Sequence, residues 1–261
     1  MPSQKFLTLA ILTSLLLTAC IPTYPDADQN GQSSSISPNS SSPSTSSTSR
    51  SSVRSSVPSS SRTSLAPNSL EAVAPLAVPF TSQAPFANWD DPYQEACEEA
   101  AILMAVHFLN GTSLTPAIAD KEILDLVAWE TANGYSQDVT AQQMAEIAEK
   151  KFGVNARVRT DVTVQTIQEE LAAGNPVIIP AAGRDLGNPY FSGEGPWYHA
   201  LVIIGFKPGW TGDYFVTNDP GTKRGQQYTY RAETLLNAIH DWTGVKEDIR
   251  AGKRAMVILE R

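Results

Sequence analysis

Asp90-Asp91-Pro92-Tyr93-Gln94-Glu95-Ala96-Cys97-Glu98-Glu99, running into the apolar stretch Ala100 to Leu109, decides how this chain folds. Acidic and turn-forming residues precede a segment of Ala, Ile, Leu, Met, Val and Phe with no polar stripe apart from His107, which predicts a helix buried on most sides. Cys97 falls in its first turn, where unpaired backbone N–H groups and the positive end of the helix dipole favour a thiolate, the nucleophilic form of cysteine. Taken alone, the stretch also fits a small buried thiol with no chemistry.

Downstream, Asn110-Gly111 closes this helix and Pro116 opens a second, with Ile123, Leu124, Leu126, Val127 and Trp129 as its apolar face up to Asn133-Gly134. Thr140-Ala141-Gln142-Gln143 reads as a capping box for a third helix ending near Gly153, and a fourth runs from Thr163 to Ala173. The pattern then turns to short runs rich in Val, Ile, Phe and Tyr: Val177 to Ile179, Ala200 to Phe206, Asp213 to Thr217, Gln226 to Tyr230 and Ala255 to Leu259. A helical segment from Ala232 to Trp242 interrupts them. Helices first and mostly antiparallel strands second predict an α+β domain with segregated layers, the N-terminal helices packed on the sheet.

Two polar residues sit where this order makes them useful. His199, in Gly195-Pro196-Trp197-Tyr198-His199-Ala200-Leu201-Val202, enters the strongest strand, and Asp219, in Asn218-Asp219-Pro220-Gly221, ends the next. The spacing is that of hairpin partners, so imidazole and carboxylate are expected side by side. A thiol at a helix start, a histidine to take its proton and an acid to fix the tautomer make a nucleophilic constellation. The plain alternatives are a turn at Asp219 and a hydrogen-bonded histidine at the strand end. His107 and His240 are read as structural.

Upstream, Ala77-Val78-Pro79-Phe80-Thr81 is a short, peripheral extended segment. Residues 21–69 are a Ser-rich stretch with almost no large apolar side chains, expected to be a disordered tether with a root-mean-square span of roughly 40 Å. Residues 1–20 combine Lys5, the apolar run Phe6 to Leu16 and Leu17-Thr18-Ala19-Cys20, the pattern of a signal peptide that ends in a lipobox resembling those of bacterial lipoproteins. Cys20 is therefore the expected lipidation site, anchoring a domain of residues 70–261 to a membrane with that domain extracytoplasmic in the cell envelope. The net charge of -8 excludes nucleic acid as a partner. With Cys20 lipidated, the second of two cysteines, Cys97, has no disulfide partner. Three histidines without a nearby cysteine give no metal-ligand spacing, and no cofactor is expected; the domain is expected to be a monomer.

Val78-Pro79-Phe80-Thr81-Ser82-Gln83, Cys97 opening a long helix, Tyr198-His199-Ala200 and Asn218-Asp219-Pro220 together resemble the thirty-ninth family of cysteine peptidases, in the stand-alone form of the bacteriocin-processing enzymes. The resemblance implies a papain-like fold, Cys97 as nucleophile, His199 as base and Asp219 as the orienting residue. It also implies an oxyanion-holding glutamine, for which Gln83 matches the family's Val-Pro-x-x-Ser-Gln and Gln94 is the rival nearer in sequence. The implied substrate is a peptide or protein, including cell-wall peptide if the domain is a peptidoglycan amidase or endopeptidase. A non-catalytic binding head retaining the fold is the reading from another class. Where relatives often carry glycine after the cysteine, this chain has Glu98-Glu99. Two carboxylates beside the sulfur are expected to make the thiol less acidic, with activity rising towards neutral or mildly alkaline pH.

Overall fold

The computed structural model describes residues 71–260. The signal-peptide, lipidation and tether readings, Cys20 included, lie outside the described residues. The described residues build five α-helices and six strands. In chain order they are α1 (Cys97–Asn110), α2 (Pro116–Ala132), α3 (Ala141–Phe152), β1 (Asn155–Arg159), α4 (Val164–Ala172), β2 (Val177–Ala182), β3 (Tyr198–Lys207), β4 (Tyr214–Asn218), β5 (Tyr228–Arg231), α5 (Ala232–Ala238) and β6 (Met256–Glu260). The strands form one sheet in the order β1-β6-β2-β3-β4-β5. Every pairing in it is antiparallel.

Helix boundaries follow the local chemistry. Helix α1 ends at Gly111, whose φ of 65° places it in the left-handed region that glycine enters at no steric cost. Helix α2 starts at Pro116 behind a Thr115 cap, and α3 starts with the full Thr140–Gln143 capping box. In α1 all positions but Phe108 and Asn110 are buried, as its missing polar stripe predicted.

Alternation along the central strands separates two apolar layers. Ile178, Val202, Val216 and Val257 face α1, α2 and α3, while Val177, Ile179, Leu201 and Ile258 face Ile167 and Leu171 of α4 and Leu235 of α5. The sheet is therefore covered on both faces, and its middle strands β2 and β3 read as unbroken apolar runs for that reason. The fold is the predicted α+β arrangement of N-terminal helices packed on an antiparallel sheet, with α1 to α3 on one face and α4 with α5 on the other.

Three differences from the expected elements have local causes. Asn155-Ala156-Arg157-Val158-Arg159, unassigned from sequence, is the edge strand β1, with Ala156 and Val158 turned to the core and Arg157 and Arg159 held by Glu170 and Glu260. Helix α5 stops at Ala238, four residues early, because Ile239 bridges to Ala181. The segment Ala77 to Thr81 joins no strand; the pairing lies just upstream, where Val73 bridges Phe206 and the Leu76 N–H donates to the Ile204 carbonyl at 2.8 Å.

Candidate active site

Cys97 is the first residue of α1, so its N–H lies outside the helical ladder. The turn Tyr93–Glu95 delivers it and is pinned from three sides. Gln83 donates through Nε2 to the carbonyls of Tyr93 and Gln94 at 2.9 and 3.0 Å. The Tyr93 hydroxyl donates to Asp120 of α2 at 2.6 Å, and the Gln83 N–H donates to the Pro220 carbonyl at 3.0 Å. The stretch before the cysteine is thereby tied to the loop that follows β4. Its sulfur also meets the Ala200 backbone N–H, the residue after His199 on β3.

His199 is the second residue of β3 and is buried. Its Nε2 lies 2.7 Å from Asp219 Oδ1, just past the end of β4. Asp219 also accepts from the Tyr230 hydroxyl at 2.5 Å, the Asn188 amide at 3.1 Å and the Gly221 N–H at 2.9 Å. Burial works to raise its pKa, but the His199 imidazole, the Tyr230 hydroxyl and the Gly221 N–H outweigh it and hold the carboxyl below its usual value. An ionised Asp219 can only accept, so Nε2 carries the hydrogen on that side and Nδ1 is the nitrogen left for chemistry. Phe191 packs edge-on against the ring, 5.3 Å between centroids. Gly221 closes the site from below: a Cβ there would lie 2.8 Å from His199 Cε1.

Cys97 and His199 line the same cleft, about 550 Å³, together with Gln83, Gln94, Trp89 and Trp197. Arg184 stacks on Trp197 at 3.5 Å, stiffening that wall. Of the two glutamines, Gln94 is exposed and its amide donates to Asp91 at 2.7 Å, while Gln83 is buried, its Oε1 without a partner. The sequence thus located the cysteine, histidine, aspartate and both glutamines that this site brings together, but it missed Tyr230 and Asn188. A tyrosine at the inward position of a strand was the available signal for the first. His107 pairs with Glu122 at 2.8 Å and His240 with the Gly252 carbonyl at 2.9 Å, both away from the cleft.

Glu98 and Glu99 are both buried. The Cys97 Sγ–H donates to Glu98 Oε2 at 2.9 Å, and Glu98 Oε1 accepts from the Val139 N–H at 3.1 Å. Glu99 turns instead to Glu130 of α2, sharing a hydrogen bond between carboxyls. The expectation that both carboxylates sit beside the sulfur is therefore corrected to one. Burial first, then Glu98, raises the Cys97 thiol well above its usual value, and only the Ala200 N–H opposes them. Glu98 is itself pushed well up, by burial and then by Glu99.

A family model described as the Peptidase_C39 like family matches residues 75–247, a span that contains Gln83, Cys97, His199 and Asp219. The chain belongs to the C39-like peptidase family. A crystal structure of a candidate C39-like peptidase from Bacillus anthracis is similar at 16% identity with a TM-score of 0.48, covering 73% of this chain and 98% of that one. Among curated proteins none matches. This C39-like chain has a cysteine peptidase fold in which the first helix carries the thiol and the sheet carries the imidazole.

Proposed function

We propose that this C39-like chain is a cysteine peptidase that hydrolyses peptide bonds with Cys97, His199 and Asp219. The observation that carries the reading is that the sulfur and an imidazole fixed by Asp219 at 2.7 Å open onto one cleft. The Cys97 thiol proton passes to His199 Nδ1 as Sγ attacks the carbonyl carbon, and the oxyanion is met by the Cys97 N–H and by Gln83, which would have to turn one amide hydrogen from the Gln94 carbonyl. The His199 Nδ1–H then protonates the leaving amine, and water releases the acyl group with the imidazole as base. Asp219 contributes by holding the ring in that tautomer.

Cys97→Ala and His199→Ala should each lower turnover by roughly three orders of magnitude or more, non-additively, with the fold intact. Wild-type turnover in Cys97→Ala would end the proposal. The raised thiol is the observation that favours a binding head that keeps the fold without turnover. A thiol-reactive activity probe separates the two, because an inert Cys97 labels no faster than a free thiol. The proposal also includes anchoring of the domain outside a membrane through lipidated Cys20, supported by the lipobox after a short apolar run. Cys20→Ser should leave the membrane fraction or remain uncleaved, and a variant that partitions and matures unchanged would refute the anchor.

A further inference from the structure

The connection from β4 to β5 makes a tight loop, Asp219 to Gly225, that carries two cations past the imidazole. The Asp219 N–H donates to the Gly225 carbonyl at 3.0 Å, the Gly225 N–H to the Thr222 carbonyl at 3.1 Å, and the Arg224 N–H to Thr222 Oγ1 at 3.2 Å. Gly225 leaves no room for a side chain, since a Cβ there would lie 1.7 Å from the Asp219 carbonyl oxygen. The Pro220 carbonyl accepts from the Gln83 N–H at 3.0 Å and from the Ser82 hydroxyl at 3.1 Å, which ties the loop to the segment before Cys97. A loop closed and fastened in this way holds the residues at its tip in one place.

Lys223 stands at that tip and lines the cleft. Its neighbour Arg224 lies over the Tyr190 ring, 4.8 Å from the centroid, and Tyr190, which also lines the cleft, packs edge-on against Tyr228. The other cations around the cleft are neutralised, Lys246 by Glu95 at 3.1 Å and Asp138 at 3.7 Å, and Arg184 by Glu194 at 3.1 Å. Lys223 and Arg224 have no carboxylate partner among the described residues. In a chain of net charge -8, two adjacent unpaired cations reverse the field locally at the cleft.

The loop also sets which side of the scissile bond these cations serve. A Cβ on Gly221 would lie 2.8 Å from His199 Cε1, and Lys223 follows only two residues later, about 7 Å of chain at most. His199 protonates the departing amine, so the part of a peptide that leaves with the amine passes on the imidazole's side of the cleft. We propose that Lys223, with Arg224 beside it, is the specificity-determining residue for the leaving side of the substrate, selecting peptides with a carboxylate in the first two residues after the scissile bond. The inference rests on the peptidase reading. Lys223 forms an ion pair with that carboxylate, and a lysine or arginine in its place is repelled. The carboxylate is supplied by an aspartate or glutamate side chain or by the terminal carboxyl of a short leaving fragment.

The test is digestion of two random decapeptide libraries by the full chain, one acetylated and amidated and one acetylated with a free terminal carboxyl, the cut sites being read by mass spectrometry. In the first library, aspartate and glutamate should exceed asparagine and glutamine at the two positions after the cut by about two- to fivefold, the range of an exposed ion pair, and by less at high salt. Lys223→Gln should bring that ratio to about one, Lys223→Arg should keep it, and Lys223→Glu should enrich lysine and arginine instead. Cuts that gather within two residues of the terminus in the second library alone, and disperse in Lys223→Gln, support the proposal with the fragment end as the source. Equal frequencies in both libraries, or an enrichment unchanged in Lys223→Gln, overturn it and leave the peptidase reading standing. If neither library is cut, the peptidase reading fails and retention of the first library on the immobilised chain decides. Acidic peptides held preferentially by the unmutated chain and not by Lys223→Gln support the cation site, and equal retention or none overturns it.

Discussion

Glu130→Gln should stabilise the protein above pH 7 and do nothing near pH 4. Glu130 projects from α2 with 4% of its surface exposed and meets Glu99, 3% exposed, carboxyl to carboxyl. Glu99 Oε2 and Glu130 Oε1 are buried with no hydrogen-bond partner. Burial is the main cause that raises Glu130 from 4.5 to about 7, with the charge on Glu98 adding to it and the hydrogen bond from Glu99 opposing. A carboxyl with a raised folded-state pKa contributes stability that is complete below its unfolded value and lost as pH rises through the folded one. The loss therefore runs from about pH 4.5 to about pH 7. A gap of about 2.5 pH units at about 1.36 kcal/mol each amounts to a penalty on the order of 3 kcal/mol at pH 8. Glutamine keeps the shape, cannot ionise, and can donate its amide hydrogen to Glu99. Urea unfolding of the full chain at pH 4 and pH 8 measures the effect as a midpoint shift at constant slope. An equal gain at both pH values would trace the effect to packing, and a loss at pH 8 would show that the ionised pair is stabilised in the folded chain; either result refutes it.

Tyr230→Phe should cost about 1.5–3 kcal/mol, since it removes a charge-assisted hydrogen bond to a fully buried carboxylate. The stability that Asp219 contributes is present above its usual 3.8 and lost as pH falls through its depressed folded value, so in Tyr230→Phe, whose folded value moves back towards 3.8, the acid loss should be smaller and complete at higher pH; a denaturation midpoint unchanged at neutral pH would refute this. Gly221→Ala sets a methyl 2.8 Å from His199 Cε1 and from Phe191 Cε1. It should displace the imidazole and lower turnover by more than its loss of stability explains, and wild-type kcat with normal folding would show that the ring does not need that position.

The fold was legible wherever one local cause sufficed. Apolar continuity marked α1, β2 and β3, and cap chemistry placed the starts of α2 and α3. Strand β1 was illegible because its polar composition makes sense only at an edge, where Arg157 and Arg159 find carboxylates from α4 and β6. Strand β2 was read as ending before Pro180, yet it continues to Ala182. Strand β6 pairs only with Val177 and Ile178, so beyond them that side of β2 has no ladder to lose and a proline is tolerated.

The site was legible in its chain order, since a thiol at a helix start, an imidazole at a strand entrance and a carboxylate at the next strand's end converge once the hairpin forms. What sequence could not resolve was the difference between Glu98 and Glu99. As neighbours they look equivalent beside the sulfur, and the expected rise in thiol pKa was assigned to both. A helix turns by about 100° per residue, so adjacent side chains cannot share one environment. Glu98 falls on the side where Val139 and the sulfur meet, and Glu99 on the side facing α2. The carboxylate in contact with the Cys97 sulfur is then a single residue chosen by helix phase and fixed by a backbone N–H remote in sequence. The charge on Glu99 acts on the sulfur without contact, and its own pKa is raised first by burial and then by Glu130.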